Sequence, residues 1–167
     1  MIDVSGALKN PGSMFPFTEQ VSFEPVTMMG EEIAFRDAVL EGELFGAEET
    51  VSIDARLKVT VQAHCARCLE SVEYPMDIQV EAVFSREPGE DEFPITGHTI
   101  DGGEAARSEM IGAMPMRFLC REDCLGLCPV CGKNRNKSLC TCLEGAVRPN
   151  PFSALLNLLN DQNNKEV

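Results

Sequence analysis

The sequence predicts an α+β fold: an antiparallel β-rich body built around a long hairpin at about residues 51–84, a few short helices, and a C-terminal knuckle module. Three observations carry that expectation. Apolar and polar residues alternate strictly through Val51–Phe84, the period of a half-buried strand. Two short stretches, after Asp101 and after Asn150, space their apolar residues as helices do. Of the eight cysteines, six crowd into the segment after Leu119 in closely spaced pairs.

The elements follow in chain order. Gln20–Val26 and Glu32–Phe45 read as shorter strands around Gly42 and Gly46. The hairpin is better defined. Val51, Ile53, Ala55, Leu57, Val59, Val61, Ala63 and Cys65 take the odd positions of its first strand. After Cys68 the phase flips, and Val72, Tyr74, Met76, Ile78, Val80, Ala82 and Phe84 take the even ones. Two such strands bury a common face only in one register. That register pairs Val51 with Phe84, Val59 with Met76 and Val61 with Tyr74, sets Cys65 opposite Glu70, and leaves Ala66–Leu69 as the turn. Pro75 falls on the polar face and marks an edge or a bulge.

Residues 85–97 hold four acids, two prolines and two glycines and read as a mobile acidic loop. Asp101 with Glu104 resembles a helix start, with Ala105, Ala106, Met110 and Ala113 as its apolar positions. Asn150–Pro151 looks like an N-cap and first helical residue ahead of Phe152, Leu155, Leu156 and Leu159. The expected organisation is a body over 1–116 including the acidic loop 85–97, a cysteine-rich module over 117–148, a closing helix at 149–160 packed on the body, and a frayed tail at 161–167.

The composition narrows the function classes. No apolar run approaches the roughly 20 residues of a membrane span. The first ten residues lack the basic and apolar regions of a secretory signal. A cytoplasmic location is therefore expected, and a reducing compartment keeps thiols free. The net charge of −13 is uneven: residues 117–148 carry six basic and three acidic side chains, +3, which leaves the remainder at −16. An acidic body repels phosphate, whereas the basic module can meet it.

The cysteines fall into three groups: Cys65-x2-Cys68, Cys120-x3-Cys124, and Cys128-x2-Cys131 with Cys140-x-Cys142. Cys-Pro-Val-Cys-Gly reads as a metal knuckle, in which proline sets the turn and glycine permits the tight backbone after it. Cys140 and Cys142 complete a four-thiolate set, the donor set of structural zinc. The polar loop Gly132–Leu139 between them needs a metal to hold it. Cys65, Cys68, Cys120 and Cys124 form a second site if the hairpin tip lies beside the segment after Leu119. A rival partition joins the two Cys-x2-Cys knuckles and leaves Cys120, Cys124, Cys140 and Cys142 together. Closing shorter loops costs less entropy and favours the local partition. Iron–sulfur ligation is the rival chemistry; the Cys-Pro-x-Cys-Gly context favours zinc.

A catalytic metal normally keeps an open position and uses histidine or carboxylate ligands. Here His64 falls on the polar strand face. Neither His-Glu-x-x-His, a phosphate-binding glycine loop nor Gly-x-Ser-x-Gly is present. Cys65-x-x-Cys68 sits on a hairpin rather than in the βαβ context of a redox pair. No catalytic residue and no small-molecule substrate are expected. Lys133, Arg135 and Lys137 are candidate phosphate contacts on the knuckle loop.

These motifs resemble a known family. Cys65-Ala-Arg-Cys-Leu-Glu70 within Val59–Glu73, Met114-Pro-Met116, the run Cys120 through Asn136, Cys140-Thr-Cys142 and Arg148-Pro-Asn-Pro-Phe152 together are similar to the YceD-type, or large ribosomal RNA subunit accumulation, proteins over roughly residues 36–160. The helix before Met114 is less acidic and leucine-rich than the family's, and Asn-Pro-Phe stands where many relatives carry Asp-Pro-Arg. Neither departure touches a cysteine. The resemblance implies a non-enzymatic factor supporting accumulation or processing of large-subunit (23S) rRNA. Its expected partners are a basic large-subunit ribosomal protein, pre-ribosomal rRNA, or both. A zinc-stabilised module with another client, and a cysteine-centred redox or RNA-processing enzyme, are the competing readings.

Overall fold

The computed structural model describes residues 1–138 and 140–143, and divides the chain into two compact units, Met1–Cys124 and a second beginning at Leu125. Cys120 and Cys124 fall in the first of these units and the other four downstream cysteines in the second. The expected closing helix with Phe152, Leu155, Leu156 and Leu159, and the tail after it, lie outside the described residues.

Three long strands dominate the first unit: β4 (Glu31–Gly46), β5 (Thr50–His64) and β6 (Ser71–Ser85). They are preceded by β1 (Ile2–Asp3), α1 (Ser5–Lys9), β2 (Met14–Gln20) and β3 (Val26–Met28). After them come β7 (Phe93–Pro94), β8 (Thr99–Ile100) and α2 (Gly102–Ala113). The main sheet runs β2-β4-β5-β6-β7, with β3 also on β4, and a separate ribbon joins β1 to β8.

The β5–β6 register is the one the alternation demands: Val51 faces Phe84, Val59 faces Met76, and Val61 faces Tyr74. Cys65 N–H donates to Glu70 O at 2.8 Å, which closes the turn Ala66–Leu69. Pro75 lies on the part of β6 that has no strand on its far side among the described residues, since β7 reaches only Phe84 and Ser85. An edge tolerates its missing N–H.

Upstream the outcome differs from expectation. The strand expected at Gln20–Val26 lies earlier, at Met14–Gln20, with Phe15 and Phe17 packed on the core and Pro16 on the outer strand. The stretch expected as a shorter strand is one 16-residue strand, β4. A bulge between Arg36 and Val39, with Asp37 at φ 52, moves its inward set from Ile33 and Phe35 to Ala38, Leu40 and Leu44. Gly42 and Gly46 are not breaks. A Cβ at Gly42 would stand 2.2 Å from Asp54 O, and one at Gly46 2.0 Å from Ala7 O, so both mark close backbone approach.

The acidic segment after β6 is also more ordered than a bare loop. Phe93 pairs in parallel with Phe84 and stacks on it at 5.5 Å, and Ile95 is buried. Asp101 caps α2 by accepting from the N–H groups of Gly103 and Glu104. Ala105, Ala106 and Met110 face inward, whereas Ala113 is exposed.

The core has two parts. Leu40, Leu57, Val80, Phe84, Ile100 and Met110 anchor the larger one between sheet and helix. A smaller one, Ile33, Val61, Ala63, Met114 and Phe118, lies toward the hairpin tip. Among the described residues no helix is long and apolar enough to cross a membrane.

Candidate metal centres

The hairpin turn delivers Cys65 and Cys68 to a point that the chain revisits after α2. Phe118 inserts into the smaller core, stacks edge-on against Tyr74 at 5.6 Å, and its carbonyl accepts from Ala66 N–H at 2.9 Å. That contact sets Cys120 and Cys124 against the tip. Arg67 then ties the loop down, donating to the carbonyls of Cys124 at 3.0 Å and Glu122 at 3.2 Å. The resulting sulfur pairs are Cys65–Cys124 at 3.8 Å and Cys68–Cys120 at 3.6 Å, and all four sulfurs lie within 4.8 Å of one another. Cys65, Cys68 and Cys124 are buried; Cys120 is exposed.

The second set is local. Cys128 N–H donates to Lys133 O at 2.7 Å and Gly132 N–H to Cys128 O at 2.8 Å, with Gly132 at φ 72. This wraps the backbone round the Cys128 sulfur, the tight turn for which only glycine is unstrained. Asn134 and Asn136 lock the loop: Asn136 Oδ1 accepts from Leu125 N–H at 2.9 Å, and Asn134 Oδ1 accepts from Asn136 N–H at 2.9 Å. Cys128, Cys131, Cys140 and Cys142 also gather all four sulfurs within 4.8 Å, Cys142 from a short 3₁₀ turn at Thr141–Leu143. These two groupings match the local partition of the eight cysteines, and all eight are free thiols.

Both sets fit a single ion. A metal–sulfur bond of about 2.3 Å implies a tetrahedron edge of about 3.8 Å, the separation found for Cys65–Cys124. A cluster of several irons spreads its ligands over separate metal atoms, so four sulfurs converging on one point suit it less.

The electrostatics agree. Burial opposes ionisation of Cys65, yet the backbone amides of Cys120, Arg67 and Cys68 outweigh it and hold that thiol at about 6. The amides of Cys131 and Val130 likewise bring Cys128 to about 6. Burial, with the neighbouring sulfurs, pushes Cys120 up to about 12, and the bond with Cys131, with burial, raises Cys142 to about 11. Each set thus contains one ready thiolate and others that resist ionisation while no cation stands among them. A bound dication reverses that resistance.

His64 stands outside both sets, paired through Nδ1 with Glu31 at 3.1 Å. Lys133 and Lys137 are exposed and Arg135 half-buried on the knuckle loop, and their backbone groups make turn bonds. Arg67, Asn134 and Asn136 escaped the sequence reading. Their signal is position alone: one between paired cysteines, two beside a glycine turn.

Comparison with known proteins adds a family. The family model described as large ribosomal RNA subunit accumulation protein YceD matches residues 53–159, a span that includes all eight cysteines. An uncharacterised protein of Mycobacterium tuberculosis (strain H37Rv) is 28% identical over 142 residues, covering 78% of this chain and 68% of its own length. An uncharacterised protein of Mycobacterium leprae is 32% identical over 96 residues, covering 50% of this chain and 44% of its own length. No solved structure matches at a significant level.

Proposed function

The chain belongs to the YceD family of large ribosomal RNA subunit accumulation proteins, and from that premise we propose that it is a non-enzymatic, cytoplasmic ribosome-biogenesis factor. It supports accumulation of large-subunit rRNA by binding a basic ribosomal protein or a pre-ribosomal particle. The observation that carries this reading is the family match itself, because its span takes in both four-cysteine sets.

In this reading Cys65, Cys68, Cys120 and Cys124 hold one zinc ion, and Cys128, Cys131, Cys140 and Cys142 hold another. The ion's contribution is a cross-link that replaces apolar core. Four thiolates complete a tetrahedral shell and leave no position for a reacting group, which argues against hydrolytic or redox catalysis at either centre. The charge map supports a basic client for the −16 body, since opposite charge steers association. Lys133, Arg135 and Lys137 remain the candidate contact of the second unit with rRNA.

The test is co-sedimentation of the full, tagged chain with large-subunit precursor particles at low and high salt, followed by identification of bound RNA and protein. The reading expects salt-sensitive association with precursors or with a basic large-subunit protein. A chain that captures neither at low salt contradicts it.

A further inference from the structure

The outer face of the main sheet, opposite the core, is divided in its charge. Over the middle and the hairpin-tip half the charges are matched: Lys58 pairs with Glu41, Arg56 with Asp77 at 3.2 Å, and Arg36 with Glu73 at 3.9 Å. The next row toward the other end is Glu43, Asp54 and Glu81, directly opposite one another on β4, β5 and β6. Among the described residues no lysine, arginine or histidine pairs with any of the three. Asp54 takes only a hydrogen bond from Gln79, at 2.5 Å. Like charges facing each other across strands destabilise a sheet. Rows nearer the hairpin tip hold ion pairs, whereas among the described residues this row holds none.

The row beyond it is apolar and open. Met14, Phe45 and Val83 stand 64%, 43% and 38% exposed on three strands of the same face. Carboxylate row and apolar row together floor a cleft of about 840 Å³, and Glu90, Asp91 and Glu92 stand at its margin.

We propose that this unpartnered sheet face is the docking surface for a basic polypeptide segment, in which arginines or lysines alternate with apolar residues. The chemistry is complementary at both rows. Cationic heads neutralise Glu43, Asp54 and Glu81, while their aliphatic stems and the apolar neighbours cover Phe45 and Val83. Two other occupants fit less well. Phosphate is repelled by every charge in the cleft. A lone dication needs carboxylate oxygens that converge, and among the described residues only the two cysteine sets bring three or more such ligands within reach of one another. The inference rests on the proposed binding of a basic client and gives that client a place.

The probe is a labelled peptide alternating arginine with valine and threonine, titrated with the full chain by fluorescence anisotropy at low salt. The triple variant Glu43→Gln/Asp54→Asn/Glu81→Gln should bind roughly tenfold more weakly while melting no lower than wild type, because repulsion is relieved. Phe45→Ser/Val83→Thr should also weaken binding with no change of charge. The control Glu24→Gln/Glu32→Gln/Glu122→Gln, equal in charge to the first triple, should bind as wild type does. Equal loss in both triples would reduce the effect to bulk charge and overturn the site, as would wild-type binding by the groove triple or preference for polyadenylate RNA over the peptide. The assay contains no ribosomal component, so its failure removes the groove and leaves the biogenesis role standing. Failed co-sedimentation with intact peptide binding does the reverse.

Discussion

The two four-cysteine sets gather the same ligands at similar spacing from opposite kinds of structure. At the hairpin tip, the sulfurs come from segments more than 50 residues apart, and apolar packing has already brought those segments together. Phe118 and Met114 fill a core with Val61, Ala63 and Ile33, so the site stands on a surface that exists without a metal. In the second unit, Cys128 is the one buried hydrophobic side chain among the described residues from Leu125 onward. Its order comes from turn hydrogen bonds, two asparagines and the convergence of sulfurs. Where apolar burial is missing, covalent or metal links must supply the stability. The first set therefore reads as a clip on a folded body, and the second as the folding nucleus of its own unit.

The largest expected effect breaks the second set. Structural zinc contributes an apparent ~10–16 kcal/mol in small sites, as much as or more than the ~5–15 kcal/mol of a whole domain. Cys131→Ser should abolish protection of the amides of Cys128, Gly132 and Arg135 in hydrogen exchange, while the β5–β6 ladder keeps its protection. Retained protection at Gly132 and Arg135 would show that the unit folds without its metal.

The converse change attacks the packing under the first set. Phe118→Ala removes a buried aromatic and should cost about 3–5 kcal/mol in urea unfolding of the body. The second unit should keep its full zinc content, because no ligand of that set is touched. Loss of zinc from both sets would make them one cooperative unit and erase the contrast.

A third change leaves both sets intact and separates their surfaces. Replacing Lys133, Arg135 and Lys137 together by alanine removes up to three phosphate contacts. It should flatten the salt dependence of rRNA binding by up to about 2.7 in log–log slope. Zinc content should stay as in wild type, since none of the three belongs to either four-cysteine set. An unchanged slope would take the knuckle loop out of the RNA interface.

The smallest effect is a gain. Leu69 closes the hairpin turn at φ 61, exposed by 65%, where a side chain pays for the left-handed conformation. Leu69→Gly should stabilise the body by roughly 0.5 kcal/mol, the strain relieved exceeding the chain entropy lost. A destabilised variant would show instead that the Leu69 side chain packs in solution.

The difference between the sets also explains what could be read in advance. Strict alternation over Val51–Phe84 leaves one register that buries both apolar faces, so the hairpin and its turn were legible residue by residue. The partition of the cysteines followed from loop closure. β2 lies earlier than the expected Gln20–Val26, and as the outer strand it accommodates Pro16. β4 was broken up because Gly42 and Gly46 look like turns. Its bulge at Arg36–Val39 also flips the phase partway, so no single period runs through it. β1, β7 and β8 are two residues each and owe their form to partners such as Ile100 and Phe84, far away in sequence. Arg67, Asn134 and Asn136 act through backbone carbonyls and amides whose positions only the fold supplies.

The central claim is that each set holds one structural ion. Elemental analysis of the purified full chain by mass spectrometry, beside its Cys131→Ser variant, tests it directly. Two zinc ions per chain in wild type, one in the variant, and colourless solutions are the predicted result. Iron with visible charge-transfer absorption, or a folded wild-type chain that carries no metal, would contradict it.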